Sequence, residues 1–369
     1  LALIHDEICE VLKRWVLQSG AAPGASAYVA RFDGSGWRAA RGTAGVHAGT
    51  GSAAVTPETI YDLASLTKPV VACTLARLAR ARGLDWGDPL GTLLVEVRGT
   101  SGAGTPLALL ASHRAGLEAH VRLRESGGPR EGWLGLCSGA RRAECRTAAP
   151  DEGCEPLYSD LGYILLGAVL ERVSEQPLES LIRREVAQPH ELELDSSRGW
   201  RQKLGAEAFL ARTAPTEVVP ERGGLIWGVV HDDNAWDLQA EAAAGHAGLF
   251  GTAAAMGGFG CRMIDALAGR LPDWLSAEEA ALLVRPRPGG SLRMGFDGKA
   301  EQGSSAGPRF GPRSFGHLGF TGTSLWCEPD AGVVVVLLTN RVHPQRENIR
   351  IRDIRPGVHG DLFGLAAGL

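Results

Sequence analysis

The chain has 369 residues, 44% hydrophobic and 22% charged, with a net charge of -4 at pH 7. That balance suits a globular chain able to bury a large core. It leaves no basic footprint for nucleic acid, and the longest apolar runs, near 162–170 and 332–338, fall far short of a membrane span.

Residues 1–18 carry Leu3, Ile4, Ile8, Val11, Leu12 and Trp15 at helical spacing with charged residues between them, the pattern of an amphipathic surface helix. A charged leader followed by an unbroken apolar stretch is missing, so this segment does not read as a signal peptide. The chain opens on Leu rather than Met, and removal of an upstream leader is a competing expectation. Seven scattered cysteines (Cys9, Cys73, Cys137, Cys145, Cys154, Cys261, Cys327) favour a reducing compartment such as the cytoplasm, although Cys137, Cys145 and Cys154 lie close enough for one bridge in an exported protein. No C-x-x-C or H-x-x-x-H pair suggests a metal.

Residues 24–31 and 36–41 alternate around Phe32-Asp33-Gly34-Ser35-Gly36 and predict a β-hairpin. A polar loop follows at 48–57. A long apolar helix starts near Ser65, tolerates Pro69 in its first turn, and ends with Arg77, Arg80 and Arg82 before Gly83. Residues 91–100 and the run from Pro106 predict a short helical pair ending in His113-Arg114-Ala115-Gly116-Leu117. His113 reads as a catalytic base or, preferably, as a loop histidine satisfied by backbone partners. Residues 118–155, mixed in charge and glycine-rich, predict an irregular surface flap beside the active site. Residues 161–174 form a strongly apolar helix with Asp160 placed to cap it.

Helical and loop character alternate through 178–245. A helix capped by Thr252 then carries Met256, Phe259, Met263 and Leu267; 276–283 predicts a short helix and 291–296 a strand. The clearest β signal spans 315–326, a turn at Pro329-Asp330-Ala331-Gly332, and 333–338. Gly316, Gly319 and Gly322 recur every third residue, as expected where a substrate lies along a strand backbone. A polar loop over 341–352 and a final helix close the chain.

Ser65-Leu66-Thr67-Lys68 sets a hydroxyl and an amine on one helix face. Serine needs a neighbouring base, and lysine supplies one where burial disfavours its charge; Val70, Val71, Leu75 and Leu78 would provide that burial. Of the four lysines (Lys13, Lys68, Lys203, Lys299), only Lys68 has a serine three positions earlier. Tyr158 is either a core aromatic with a bonded hydroxyl or, held beside a lysine, a proton shuttle.

Taken in order, Ser65-Leu66-Thr67-Lys68, Tyr158-Ser159-Asp160 and His317-Leu318-Gly319-Phe320-Thr321-Gly322 resemble the motifs of the serine β-lactamase and penicillin-binding-protein superfamily. The likeness is to its class C β-lactamase-like branch, which includes D-alanyl-D-alanine carboxypeptidases, D-amino-acid peptidases and carboxylesterases. Stretches 61–68, 113–117, 158–162, 231–235, 246–250 and 339–344 extend it over most of the chain. The resemblance implies that Ser65 is acylated with Lys68 as its partner. Tyr158 would activate Ser65, protonate the leaving group and serve the deacylating water. The N–H groups of Ser65 and Phe320 would form the oxyanion hole, with Gly319, Asp160 and Thr321 in the substrate-binding set. His317 takes the place of the usual lysine in Lys-Thr-Gly, which weakens a positive charge near pH 7. Asp160 stands where asparagine is common, which disfavours a carboxylate-bearing substrate. Both departures count against an efficient β-lactamase and fit a peptidase or esterase.

The expectation is therefore a single catalytic domain working through an acyl-enzyme, without a cofactor, on a small-molecule ester, D-amino-acid peptide or β-lactam. Its fold class is α/β, an antiparallel sheet flanked by helices plus an all-helical lobe, with 1–60 and 231–369 in the first and 61–230 mainly in the second. A catalytically silent binding protein of the same fold is the alternative; its mark would be a broken Ser, Lys and Tyr set, and all three are present. An ordinary α/β-hydrolase would need a Gly-x-Ser-x-Gly elbow, which is missing.

Overall fold

Residues 333–338 are apolar without alternation, and the reason is tertiary. In the computed structural model, which describes residues 2–47, 53–126, 132–145 and 153–369, they form a strand covered on both faces. The elements that matter for the site are α1 (Ala2–Leu12), β1 (Gly24–Phe32), β2 (Trp37–Gly45), α2 (Thr67–Arg82), α3 (Asp160–Ser174), α4 (Ala253–Leu267), β3 (Phe315–Leu318), β4 (Ser324–Glu328), β5 (Val333–Thr339) and α5 (Ile351–Leu365). The sheet runs β2-β1-β5-β4-β3 and ends on the two-residue strand Asp297–Gly298, antiparallel throughout. Along β5, Val333, Val335 and Leu337 meet Ile8, Leu12 and Val358 from α1 and α5. Val334, Val336 and Leu338 meet Met256, Phe259 and Met263 of α4 on the other face. Each such side chain stabilises the fold by about 1.5–3 kcal/mol when taken from water, so the central strand carries no solvent-facing register.

Helix α2 shows little amphipathicity because it too is enclosed: Val70, Val71 and Leu75 share one core with Leu161, Leu165 and Leu166 of α3. It stops at Gly83, whose φ of 68° and N–H bond to the Ala79 carbonyl make a left-handed cap. Among the described residues no helix is long and apolar enough to cross a membrane.

Several local expectations are corrected. The described parts of 118–155 are a surface excursion only in part: 118–120 and 124–126 are exposed, but Trp133–Gly139 is helical, and Leu123, Trp133 and Cys137 join the core around α2. Part of that stretch, like residues 48–52 of the 48–57 loop, lies outside the described residues. The strand expected at 291–296 reduces to Asp297–Gly298, because Gly289, Gly290 and Gly295 all take positive φ and turn the chain. Thr252 does cap α4 through the Ala255 N–H at 3.1 Å. Asp160 does not cap α3. Ser159 holds the cap position, donating its own hydroxyl to the Glu118 carbonyl at 2.6 Å, while the Asp160 carboxylate turns toward Lys68.

The three spaced glycines answer to their own chain rather than to a substrate. A Cβ on Gly316 would lie 2.0 Å from the Leu325 carbonyl oxygen, and one on Gly319 would lie 1.9 Å from the Thr323 hydroxyl. At Gly322 the φ of 102° adds to a 2.1 Å clash with the Thr339 hydroxyl.

Candidate active site

The nucleophile loop is held by a residue that sequence reading passed over. Asp62 is buried and accepts N–H bonds from Ala64 at 2.8 Å and from His231 at 2.7 Å. Burial pushes its carboxyl up, against those two bonds. Its carbonyl takes the Thr321 hydroxyl at 2.8 Å, and the next carbonyl, of Leu63, takes Thr323 at 3.0 Å. These bonds fix Ala64 at a φ of +48°, a left-handed conformation costing a residue with a Cβ about 1–2 kcal/mol. Ser65 follows in a single 3-10 turn that leads into α2. The only signal in the sequence was a lone carboxylate inside an apolar run, Tyr61-Asp62-Leu63-Ala64.

Lys68 has no exposed side-chain surface, and its three donors are all engaged. They reach Ser65 Oγ at 2.9 Å, Asp160 Oδ1 at 2.7 Å and the His246 carbonyl at 3.3 Å. Burial pulls the amine down, but the negative charge of Asp160 outweighs it with help from Tyr158, and Lys68 is held above its ordinary value. This overturns the expectation that apolar surroundings would neutralise the lysine: they act, and the ion pair wins. Asp160 is likewise pushed up by burial and pulled further down by Lys68, His120 and His246, so its carboxyl sits well below the usual range. Its second oxygen lies 3.6 Å from His120 Nδ1. The pair is formally neutral, and Asp160 does not face a substrate as a free anion.

Tyr158 sits at the end of the extended segment before α3, with Lys68 Nζ 4.7 Å from its ring centroid. The phenol shares its surroundings with Lys68 and Ser65, both of which act on its ionisation. Burial raises its pKa, while Lys68 and Ser65 oppose the rise, so the resting group is a phenol. His113 props this ring from behind, centroid to centroid 4.7 Å. Its Nδ1 accepts the Ser159 N–H at 3.0 Å and its carbonyl accepts Leu157 N–H at 3.0 Å. It is the satisfied loop histidine rather than a base; burial, Lys68 and His317 push it down to about 3.

On the facing strand β3, the His317 ring centroid lies 5.8 Å from that of Tyr158, and its Nδ1 donates to the Leu318 carbonyl at 2.8 Å. That tautomer leaves Nε2 as the lone-pair nitrogen. Burial and Lys68 push His317 down to about 3, so it is neutral near pH 7. Leu318 stands where the Lys-Thr-Gly pattern has threonine, a second departure overlooked in the sequence.

A cavity of about 470 Å³ brings Ser65, Tyr158, Asp160, His317, Gly319 and Phe320 together. Lys68 lies beneath its floor, and Thr321 is absent from the wall, its hydroxyl spent on Asp62. Phe320 forms the lip, stacked on His231 at 5.7 Å and topped by the Arg341 guanidinium at 4.4 Å. The far wall carries Arg341, Arg352 and Arg355, none of which pairs with a carboxylate among the described residues. Arg341 donates to the carbonyls of Phe320, Arg346 and Asn348, and Arg355 to those of Gly319 and Thr323. Burial and the neighbouring arginines push Arg355 down to about 9.

The model of the family described as Beta-lactamase matches residues 12–358. The chain is 28% identical over 201 residues to an N-acetylmuramyl-L-alanine amidase of Bacillus subtilis, covering 52% of this chain and 45% of that protein. It is 28% identical over 209 residues to a putative D-alanyl-D-alanine carboxypeptidase of Escherichia coli, covering 52% and 46%. It thus spans about half the length of these curated relatives. Among solved structures, EstCE1, a hydrolase with promiscuous acyltransferase activity, matches with a TM-score of 0.70 at 21% identity over 96% of this chain and 98% of that one. The D-amino acid amidase of Ochrobactrum anthropi matches with a TM-score of 0.68 at 16% identity over 99% and 98%. At such identities these structures share the fold.

Proposed function

This chain belongs to the β-lactamase family, and on that premise we propose that it is a serine hydrolase working through a covalent acyl-enzyme. The observation that carries the reading is the contact of Ser65 Oγ with Lys68 Nζ at 2.9 Å, beside the Tyr158 phenol, at the base of an open cavity. Lys68 stays an ammonium and acts as a fixed donor. Tyr158 takes the Ser65 proton while handing its own to the leaving group, so the phenol is neutral before and after and no free phenolate is required. The N–H groups of Ser65 and Phe320 meet the developing oxyanion. Water later follows the same route in reverse.

The substrate is a small ester, amide or D-amino-acid peptide, and the arginines of the far wall favour one carrying a carboxylate. That preference replaces the earlier expectation from Asp160, whose charge Lys68 neutralises. The test is a fluorophosphonate label followed by peptide mapping, together with rates on nitrophenyl acetate, a chromogenic cephalosporin, and a D-Ala-D-Ala peptide with free or amidated C-terminus. Expected are an adduct on the Ser65 peptide, no turnover by Ser65→Ala, and a faster rate for the free carboxylate. Turnover retained by Ser65→Ala would remove the nucleophile. Failure of the parent chain to take the label would leave a binding protein of the same fold.

A further inference from the structure

Of the three cysteines that the sequence left as possible partners, only two meet. A Cβ built on Gly116 would lie 2.7 Å from Cys154 Sγ, 2.9 Å from Cys145 Sγ and 2.5 Å from Cys145 Cβ, so both sulfurs crowd one point beside a residue that has no side chain. Cys137 is buried separately on the Trp133–Gly139 helix, in the core around α2. The backbone holds the approach. Cys154 N–H bonds to the Arg114 carbonyl at 2.9 Å, Arg142 N–H to the Gly116 carbonyl at 2.9 Å, and Cys145 N–H to the Arg142 carbonyl at 2.9 Å. Both cysteines are therefore pinned to the turn 114–116, where Gly116 takes a φ of +70° that a larger residue would resist.

We infer that Cys145 and Cys154 form a dithiol that closes to a disulfide on exposure to a low-molecular-weight disulfide. One thiolate attacks a sulfur of the small disulfide and expels one thiolate. The second cysteine then attacks the mixed disulfide and expels the other. The protein dithiol loses two electrons and two protons, and the reagent is reduced to two thiols. Burial and Cys154 push Cys145 up to about 11, so the exchange is slow at neutral pH and quickens as pH rises. The bridge would join the two sides of 146–152 to each other, beside the turn that follows His113, the residue that props Tyr158.

This inference is independent of the catalytic reading. The test treats the full chain with oxidised glutathione near pH 8.5, blocks remaining thiols with iodoacetamide under denaturing conditions, and maps the peptides. The expected result is one cross-linked pair containing Cys145 and Cys154, a loss of two titratable thiols from the seven in the chain, and a mixed glutathione disulfide on Cys154 in Cys145→Ser. Separate caps on Cys145 and Cys154, or a cross-link through Cys137, would overturn it.

Discussion

Replacing Asp160 by Asn isolates the interaction that sets the charge of the site. At 2.7 Å and an effective dielectric constant of about 20, the attraction between the Lys68 and Asp160 charges is about 6 kcal/mol. An asparagine still accepts one N–H from Lys68, whose bonds to Ser65 and His246 persist, so roughly half of that should be lost, about 3 kcal/mol, at the lower end for an unmatched buried charge. For 369 residues the unfolding entropy is about 0.8 kcal/mol per degree, and the loss converts to about 4 °C in Tm.

The pH dependence separates this cause from ordinary repacking. In the parent, the raised pKa of Lys68 contributes stability that is fully present below the ordinary 10.5 and is lost only as pH climbs through the folded value. The lowered pKa of Asp160 contributes stability present above 3.8 and lost as pH falls through its folded value. The parent pair is thus intact from mildly acid to mildly alkaline pH. In Asp160→Asn, the main force opposing burial is removed and the folded pKa of the amine drops below the unfolded one. The penalty is then greatest where the ammonium is charged and shrinks as pH rises. Thermal denaturation near pH 6 and near pH 9.5 should show the deficit falling by at least about half. A variant within roughly 1 °C of the parent near pH 6, or an equal deficit at both pH values, refutes the reasoning.

Tyr158→Phe should lower kcat by roughly 10²–10⁴-fold on nitrophenyl acetate with KM nearly unchanged; a change confined to KM would mean that the phenol only binds. His113 and His317, both held near 3, stay neutral from pH 5 to 8, whereas Asp160 raises His120. A limb in the pH profile of kcat near neutrality should accordingly vanish in His120→Gln and persist in His317→Gln, and the opposite pattern would overturn the neutral assignment of His317. Gly319→Ala places a Cβ 1.9 Å from the Thr323 hydroxyl and 2.7 Å from the Leu63 carbonyl oxygen, so it should cost about 1–3 kcal/mol in chemical denaturation. Gly104→Ala meets nothing within 4 Å and should stay within about 0.5 kcal/mol of the parent.

What the sequence determined by itself was local. The 3.6-residue and 2-residue periods place α1 and the hairpin, apolar stretches place α2 and α3, Gly83 ends α2, Thr252 starts α4, and Ser65-x-x-Lys68 sets a hydroxyl against an amine one helical turn away. These features need only near neighbours along the chain, so they can be read without coordinates. The tertiary structure alone decided the charge of Lys68, because burial there is set against a carboxylate 92 positions distant. It alone assigned Asp62 to the nucleophile loop, turned Gly316, Gly319 and Gly322 into packing requirements, and chose Cys145 and Cys154 from three thiols. Desolvation and Coulomb attraction depend on which remote segments close around a group, and spacing along the chain carries no record of that closure.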